Sequence, residues 1–425
     1  MNISNIFCYI FGEITFFSKI KFILLCILCY KMEIAEEGKF YNPFSFQQTK
    51  NIKGILSIVI FIYHFYFAVL NNDNYYYIPF SDYGYKIVSI FFFYSGYGIM
   101  KKYLTTKNYL KGFLRKRLIS VLIPFYLINT TLSVLYYFTG NKYLNTENLI
   151  RKKEKNIKII IFTLLGITPA YEIGWYSIAI SVLYISFYLS FRFIKYHNLN
   201  FIIIFIFLCS TIYYVNIKRD RHYCFQGFGY IKSHFPFLFG LIIAKYENII
   251  LNKIKKYHSF SLLLFLYFRF YFIDYYRDFI RYLKKKKLSL EEPKFYIKSA
   301  IIYNLHCIMS VIVVHLILMK IYFHNKILDY LGKISYEIYL YHFFGLKLLR
   351  SELYYIQSDR FYVLMCFCWT IIIPIIMNYV DSFLINLGLK IAFCKLNSDK
   401  KKGKNQYFAV KNELNQNNEK KNENF

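Results

Sequence analysis

The sequence predicts an all-α fold, a polytopic bundle of about ten transmembrane helices. Hydrophobic residues make up 57% of the chain and aromatic residues 22%, which argues against a soluble domain of this length. Several apolar runs approach the ~20 residues with which a helix crosses a bilayer. Proline and glycine interrupt some of these runs, and transmembrane helices tolerate such residues better than soluble helices do.

Ten predicted spans follow one another along the chain. The clearest six are 54–70, 118–138, 174–191, 199–217, 299–319 and 361–386. The other four are 83–100, 233–250, 258–273 and 333–350. The span at 174–191 opens with Trp175 and Tyr176, whose amphipathic rings suit a membrane interface.

The loop 101–117 predicts the orientation of the chain. It carries seven lysines and arginines and no acidic residue, and such loops stay on the cytoplasmic side. The loop 71–82 is then outside, and ten spans place both termini in the cytoplasm of a multi-pass plasma-membrane protein. The basic segments 218–232 and 274–298 fall outside in this count, contrary to the charge rule. Longer loops follow that rule less strictly, so the count is kept.

Composition divides the chain into three parts. Residues 51–390 form the membrane domain, and residues 391–425 are rich in Lys, Asn and Glu, which predicts a disordered cytoplasmic tail. Residues 1–50 form an N-terminal segment whose first 30 residues are apolar but interrupted. An interfacial helix, an extra span and an over-long start assignment are equally open for them, and they lack the features of a signal peptide.

Charge and cysteine content argue against two kinds of site. The net charge of +30 sits largely in short loops and in the tail, where membrane topology and a biased background composition explain it. No module with the pattern of a nucleic-acid-binding domain is visible, so nucleic acid is not an expected partner. The nine cysteines are scattered, and Cys26 and Cys29 lack a second ligand pair, so we expect neither a metal site nor a disulfide framework.

His64 is the strongest candidate for chemistry. It lies eleven residues after Lys53, and eleven helical residues turn through ~1,100° and rise ~16 Å, so both side chains share one face. Lys53 is then at the cytoplasmic edge and His64 deeper in the membrane, where an ionisable group is costly and usually functional. Histidine is also the side chain best suited to proton transfer near neutral pH. The alternative is a structural histidine bonded to a neighbouring helix.

Two further motifs lie near the same membrane edge. Ser95 and Gly96 are small residues that let a neighbouring helix or a ligand approach the backbone closely. Arg115 and Arg117 belong to a basic turn that can bind phosphate groups as well as enforce topology. Helix packing and topology alone are the simpler explanations of these two motifs.

The order of these elements resembles acyltransferase family 3, the polytopic membrane acyltransferases that include polysaccharide O-acetyltransferases. The resemblance covers about residues 50–386. It rests on Lys-Gly-x9-His at 53–64, Phe-Phe-x-x-Ser-Gly-Tyr at 91–97, Lys-Arg-x6-Pro at 116–124, Gly-Trp-Tyr at 174–176, Phe-Pro-Phe-Leu-Phe-Gly at 235–240, which resembles the family's Phe-x-x-x-Gly segment, and Gly-Lys-x-Ser-Tyr-x-x-Tyr-Leu-x-His at 332–342.

The resemblance implies that His64 is the essential histidine of the first span and acts as the catalytic base. It implies acyl-CoA-binding roles for Lys53, Ser95, Gly96, Arg115 and Arg117. Supporting candidates in the later segments are Trp175, Glu337 and His342. Glu337 is in addition a carboxylate within a span and needs a partner there.

Two positions depart from the family pattern. Lys53 stands where most members have Arg, so a phosphate contact there keeps the charge but loses the planar two-pronged donor. Ser89 stands where many members carry an acidic residue before the Phe pair. If that acid orients the histidine, this protein uses another partner or none.

The resemblance implies an integral-membrane O-acyltransferase. Acetyl-CoA, or another acyl-CoA, would be the donor substrate rather than a bound cofactor, and would enter from the cytoplasm. The acceptor would be a hydroxyl of a cell-surface polysaccharide or lipid-linked glycan, with membrane lipids around the protein. A non-enzymatic exporter of a glycan or lipid is the main alternative, and a structural partner in a cell-envelope complex is a third.

Overall fold

The computed structural model describes most of the chain between residues 26 and 422. The described ranges are 26–27, 29–69, 83–139, 174–218, 232–286, 293–351 and 354–422. The predicted outer loop 71–82 and residues 1–25 lie outside them. The alternatives for the start of the chain therefore remain open.

Eleven helices and one two-stranded sheet make up the described ranges, which confirms the all-α class. The helices are α1 (Phe46–Val69), α2 (Tyr83–Thr105), α3 (Phe113–Thr139), α4 (Trp175–Phe193), α5 (His197–Lys218), α6 (Phe235–Lys256), α7 (His258–Lys285), α8 (Pro293–Leu318), α9 (Lys326–Lys333), α10 (Ser335–Leu348) and α11 (Asp359–Asn422). The strands are β1 (Met32–Ile34) and β2 (Ile321–Phe323).

Six of the described helices are long and apolar enough to cross a membrane, namely α3, α4, α5, α6, α8 and the first part of α11. The predicted number of about ten spans is therefore not confirmed. Helix α2 has 23 residues, but its tyrosines, glycines and lysines lower its hydropathy. Helix α10 has 14 residues and is ~21 Å long, shorter than the ~30 Å hydrocarbon core.

Glycines bring two pairs of helices into backbone contact. A Cβ at Gly96 of α2 would meet the carbonyl oxygen of Phe237 in α6, and a Cβ at Gly240 of α6 would meet that of Phe93 in α2. In the same way, a Cβ at Gly54 of α1 would meet the carbonyl oxygen of Leu328 in α9. These close approaches fix how α1 and α2 are rotated about their axes.

The small sheet attaches the segment before α1 to the rest of the fold. Strands β1 and β2 are antiparallel, with Met32 opposite Phe323. An isolated two-stranded sheet is marginal, and side chains of α1 reinforce it. Gln48 Nε2 donates to Ile321 O at 2.6 Å and Asn51 Nδ2 donates to Phe323 O at 2.8 Å.

Helix α11 extends to Asn422, through residues for which the sequence predicted a disordered tail. Side chains in this helix are described only as far as Ala392. The division of the chain at residues 50 and 390 stays a prediction.

Candidate functional site

A cavity of about 160 Å³ lies among α1, α2, α3, α4 and α10. Its walls are formed by Lys53, Val88, Phe91, Ser95, Val121, Tyr176, Ile180, Tyr184, Ser335, Tyr336 and Tyr339. Two of them, Lys53 and Ser95, are residues that the sequence predicted for substrate binding. The cavity thus combines a cation and several hydroxyl groups with apolar surface, as small-molecule sites do.

Helical periodicity explains why these side chains share one cavity. In α4, Tyr176, Ile180 and Tyr184 are four residues apart and lie on one face. In α10, Ser335 and Tyr339 have the same spacing. Helices α4 and α10 therefore each contribute a stripe of residues, whereas α1 and α3 contribute one side chain each, Lys53 and Val121.

A second cation, Arg117, lies beside this cavity. Lys53 Nζ lies 5.9 Å from the ring centre of Tyr94, and the guanidinium of Arg117 lies 5.8 Å from that of Tyr184, a cavity residue. Arg117 Nη2 also donates to Tyr109 Oη at 3.1 Å. The two cations are close enough to repel each other, and within the described ranges neither is paired with a carboxylate. Such a pair attracts an anion.

Hydrogen bonds hold the tyrosine wall in place. Tyr336 Oη donates to Val121 O at 2.8 Å, which joins α10 to α3. It also lies 2.8 Å from Ser177 Oγ, which joins α10 to α4. On the opposite wall the side chains of Ser95 and Tyr176 interact. The hydroxyl groups around the cavity are thus oriented before any ligand arrives.

His64 lies beyond the cavity, next to His342 of α10. The two ring centres are 5.2 Å apart, and the rings of Tyr63 and Phe343 pack edge-on against His64 at 4.8 and 5.4 Å. His342 also lies near Tyr339, with 6.3 Å between ring centres, and Tyr339 lines the cavity. The histidine pair is therefore connected to the cavity through Tyr339.

Ser89, where the family pattern led us to expect an acid, packs on another side of α2. Its Oγ donates to Lys86 O at 2.6 Å, and it lies beside Cys307 of α8. Within the part of the chain that the structure describes, no carboxylate contacts His64. The ring of His342 occupies that neighbourhood instead.

Gly96 and Arg115 serve contacts between helices. Gly96 faces the backbone of α6 at Phe237 rather than the cavity. Arg115 Nη1 donates to Ala392 O at 2.6 Å and so ties α3 to α11. Both residues were predicted to bind the donor, and the structure places neither of them in the cavity wall.

Trp175 and Glu337 also lie beside the cavity residues rather than among them. The ring of Trp175 is 6.1 Å from that of Phe92, in the packing between α4 and α2. Glu337 Oε1 accepts a hydrogen bond of 3.0 Å from Asn378 Nδ2, which supplies the partner that a buried carboxylate needs. Glu337 is on the face of α10 that meets α11.

Sequence reasoning did not select the cavity tyrosines, although the signal was present. Tyr176 and Tyr184 are separated by two helical turns, and Tyr336 and Tyr339 by about one. That spacing places them on common faces. In a chain with 46 tyrosines, however, many pairs have such a spacing by chance. Sequence reasoning also did not select Asp381 of α11. Its side chain is fully buried, and neither carboxylate oxygen has a hydrogen-bond partner among the described residues.

Comparison with known families decides the classification. A family model described as an acyltransferase domain matches residues 50–379, which is most of the chain. The chain belongs to acyltransferase family 3. Comparisons with curated proteins and with solved structures gave no match. As a family 3 member with several apolar helices, the protein is a multi-pass membrane protein, and the family supports acyl transfer as its general activity.

Proposed function

We propose that this protein transfers an acetyl group from acetyl-CoA, supplied from the cytoplasm, to a hydroxyl of a cell-surface polysaccharide or lipid-linked glycan. The observation that carries the proposal is the cavity lined by Lys53, with Arg117 beside it at Tyr184 and neither cation paired with a carboxylate in the described residues. Family membership supports acyl transfer in general, and this cavity supports a phosphate-bearing donor in particular.

The cavity cations suit the phosphates of a CoA ester. An arginine can grip a phosphate with two parallel N–H bonds, and a lysine adds a point charge. Because Lys53 and Arg117 repel each other in the unliganded protein, a bound anion relieves that repulsion as well as making new contacts. The tyrosine and apolar walls then surround the neutral arm of the donor.

We infer that the reacting end of such a donor lies near His64. Lys53 and His64 share one face of α1 and are ~16 Å apart along its axis. A donor with its phosphates at Lys53 extends past Tyr339 toward the histidine pair. An elongated thioester fits this layout, whereas a compact anion would occupy only the cavity.

His64 would act as the general base. The acceptor hydroxyl oxygen attacks the thioester carbonyl carbon while His64 takes the hydroxyl proton. The carbon–sulfur bond then breaks, and the departing CoA thiolate receives the proton from His64. The products are the O-acetylated glycan and CoA, and His64 returns to its neutral form.

The test supplies radiolabelled acetyl-CoA to membranes that contain the full chain and measures label in the extracted glycans. We expect His64→Ala to lower the transfer rate ~10²–10⁴-fold, as the loss of a general base does. His324→Ala is the matched control, because His324 is half-exposed and pairs with Glu33 at 3.1 Å, outside the cavity wall. Transfer at the normal rate by His64→Ala would contradict the mechanism. A non-enzymatic exporter would leave no label on any glycan, even with the wild-type protein.

A further inference from the structure

The sequence did not predict that a second histidine, His342, packs against His64. His342 is fully buried, and its Nδ1 lies 2.8 Å from Ile338 O. A carbonyl oxygen can only accept, so Nδ1 carries the proton and Nε2 carries the lone pair. That Nε2 is buried and has no hydrogen-bond partner among the residues that the structure describes. The fold therefore keeps a buried acceptor unused beside His64.

In the described part of the chain, the surroundings of His64 lack the carboxylate that would normally accept its N–H. The rings of Tyr63, His342 and Phe343 pack against it, and Lys347 adds a positive charge nearby. Once His64 has taken a proton, both of its ring nitrogens are donors. Of the two α10 rings that pack against His64, that of His342 carries a nitrogen lone pair that can accept such a bond.

We propose that His342 is a positioning residue: its Nε2 accepts a hydrogen bond from the protonated ring of His64, which orients His64 and stabilises the imidazolium during acyl transfer. This proposal rests on the proposed function of His64 as the base. His342 would thus orient His64, the task that the family pattern suggested for an acidic residue at position 89. No proton leaves His64 for His342; the proton that His64 takes from the acceptor hydroxyl goes to the departing thiolate.

Two variants separate this role from simple packing. His342→Gln keeps an oxygen acceptor toward His64, whereas His342→Phe fills the space without one. We expect His342→Phe to lower kcat about 10–100-fold, the effect of one hydrogen bond to a charged group, with the KM for acetyl-CoA unchanged within about twofold. His342→Gln should recover most of that loss. Rates are expressed per folded protein, counted by fluorescence-detected gel filtration.

A double-variant cycle gives a second readout. If His342 acts through His64, His64→Ala combined with His342→Phe should be no slower than His64→Ala alone. Multiplied losses in the double variant, equal losses with Gln and Phe, or a normal kcat with Phe would overturn the role of His342 while the base function of His64 stands. Absence of transfer by the wild-type protein would overturn both proposals.

Discussion

Replacing Lys53 by methionine tests whether the cavity binds a phosphate-bearing donor. Methionine is similar in length and uncharged, so the variant removes the cation with little change in volume. A hydrogen bond to a charged group contributes about 1.5–3 kcal/mol. At 1.36 kcal/mol per factor of ten, the KM for acetyl-CoA should rise about 10–100-fold. Because Lys53 is far along α1 from His64, kcat should change less than about threefold.

The free protein should tolerate the Lys53→Met substitution. Lys53 pairs with no carboxylate in the described residues and is repelled by Arg117, so its loss leaves no buried counter-charge. The thermal midpoint should therefore stay equal or rise slightly. A large fall in stability would show that Lys53 has a structural role that the contacts do not reveal.

Lys50→Met is the matched control for this measurement. Lys50 lies one turn earlier in α1 and pairs with Asp329 of α9 at 3.2 Å, so its charge is already engaged outside the cavity. Initial rates at varied acetyl-CoA concentration give KM and kcat for both variants. An equal rise in KM for Lys50→Met and Lys53→Met, or no rise for Lys53→Met, would refute the assignment of the donor phosphates to this cavity.

Two further substitutions test the packing that positions the site. Gly96→Ala should lower the free energy of unfolding by about 1–3 kcal/mol, because its Cβ would meet the α6 backbone. Gly98→Ala is the control, because nothing lies within 4 Å of a Cβ there. Equal thermal midpoints for the two variants would contradict the close contact at Gly96. Glu247→Ala removes the carboxylate that pairs with Lys101 and accepts a hydrogen bond of 2.9 Å from Tyr97 Oη. Because that carboxylate is buried, the variant should lower the free energy of unfolding by about 1–3 kcal/mol. An unchanged thermal midpoint would contradict this loss of stability.

The relation between Lys53 and His64 was predictable because it is local. Both residues lie in one helix, and the period of that helix decides that they share a face. The structure adds that Lys53 lines the cavity and that His64 lies beyond it. Which other helices complete the cavity depends on long-range packing, and no periodicity within one helix contains that information.

The partner of His64 was not predictable for the same reason. His342 is far away in the sequence, and its segment at 332–342 mixes aromatic and apolar residues with Lys333, Ser335 and Glu337, so nothing local indicates which face meets α1. The number of spans, about ten, is not confirmed by the described helices, for a different physical reason. Apolar runs predict where helices form, but a buried helix such as α10 can be too short to cross the bilayer.

Gly54 and Gly96 have the same effect on the residue that precedes each of them. In each case, a cavity residue precedes the glycine: Lys53 before Gly54, and Ser95 before Gly96. The glycine docks its helix onto a neighbouring backbone, α9 in the first case and α6 in the second. Successive side chains point ~100° apart around a helix. When the glycine faces the neighbouring helix, the residue before it therefore points to a different side of its own helix. For Lys53 and Ser95 that side faces the cavity. A side chain at either glycine would therefore rotate or displace a cavity residue, so a packing position can change the shape of the cavity without lining it.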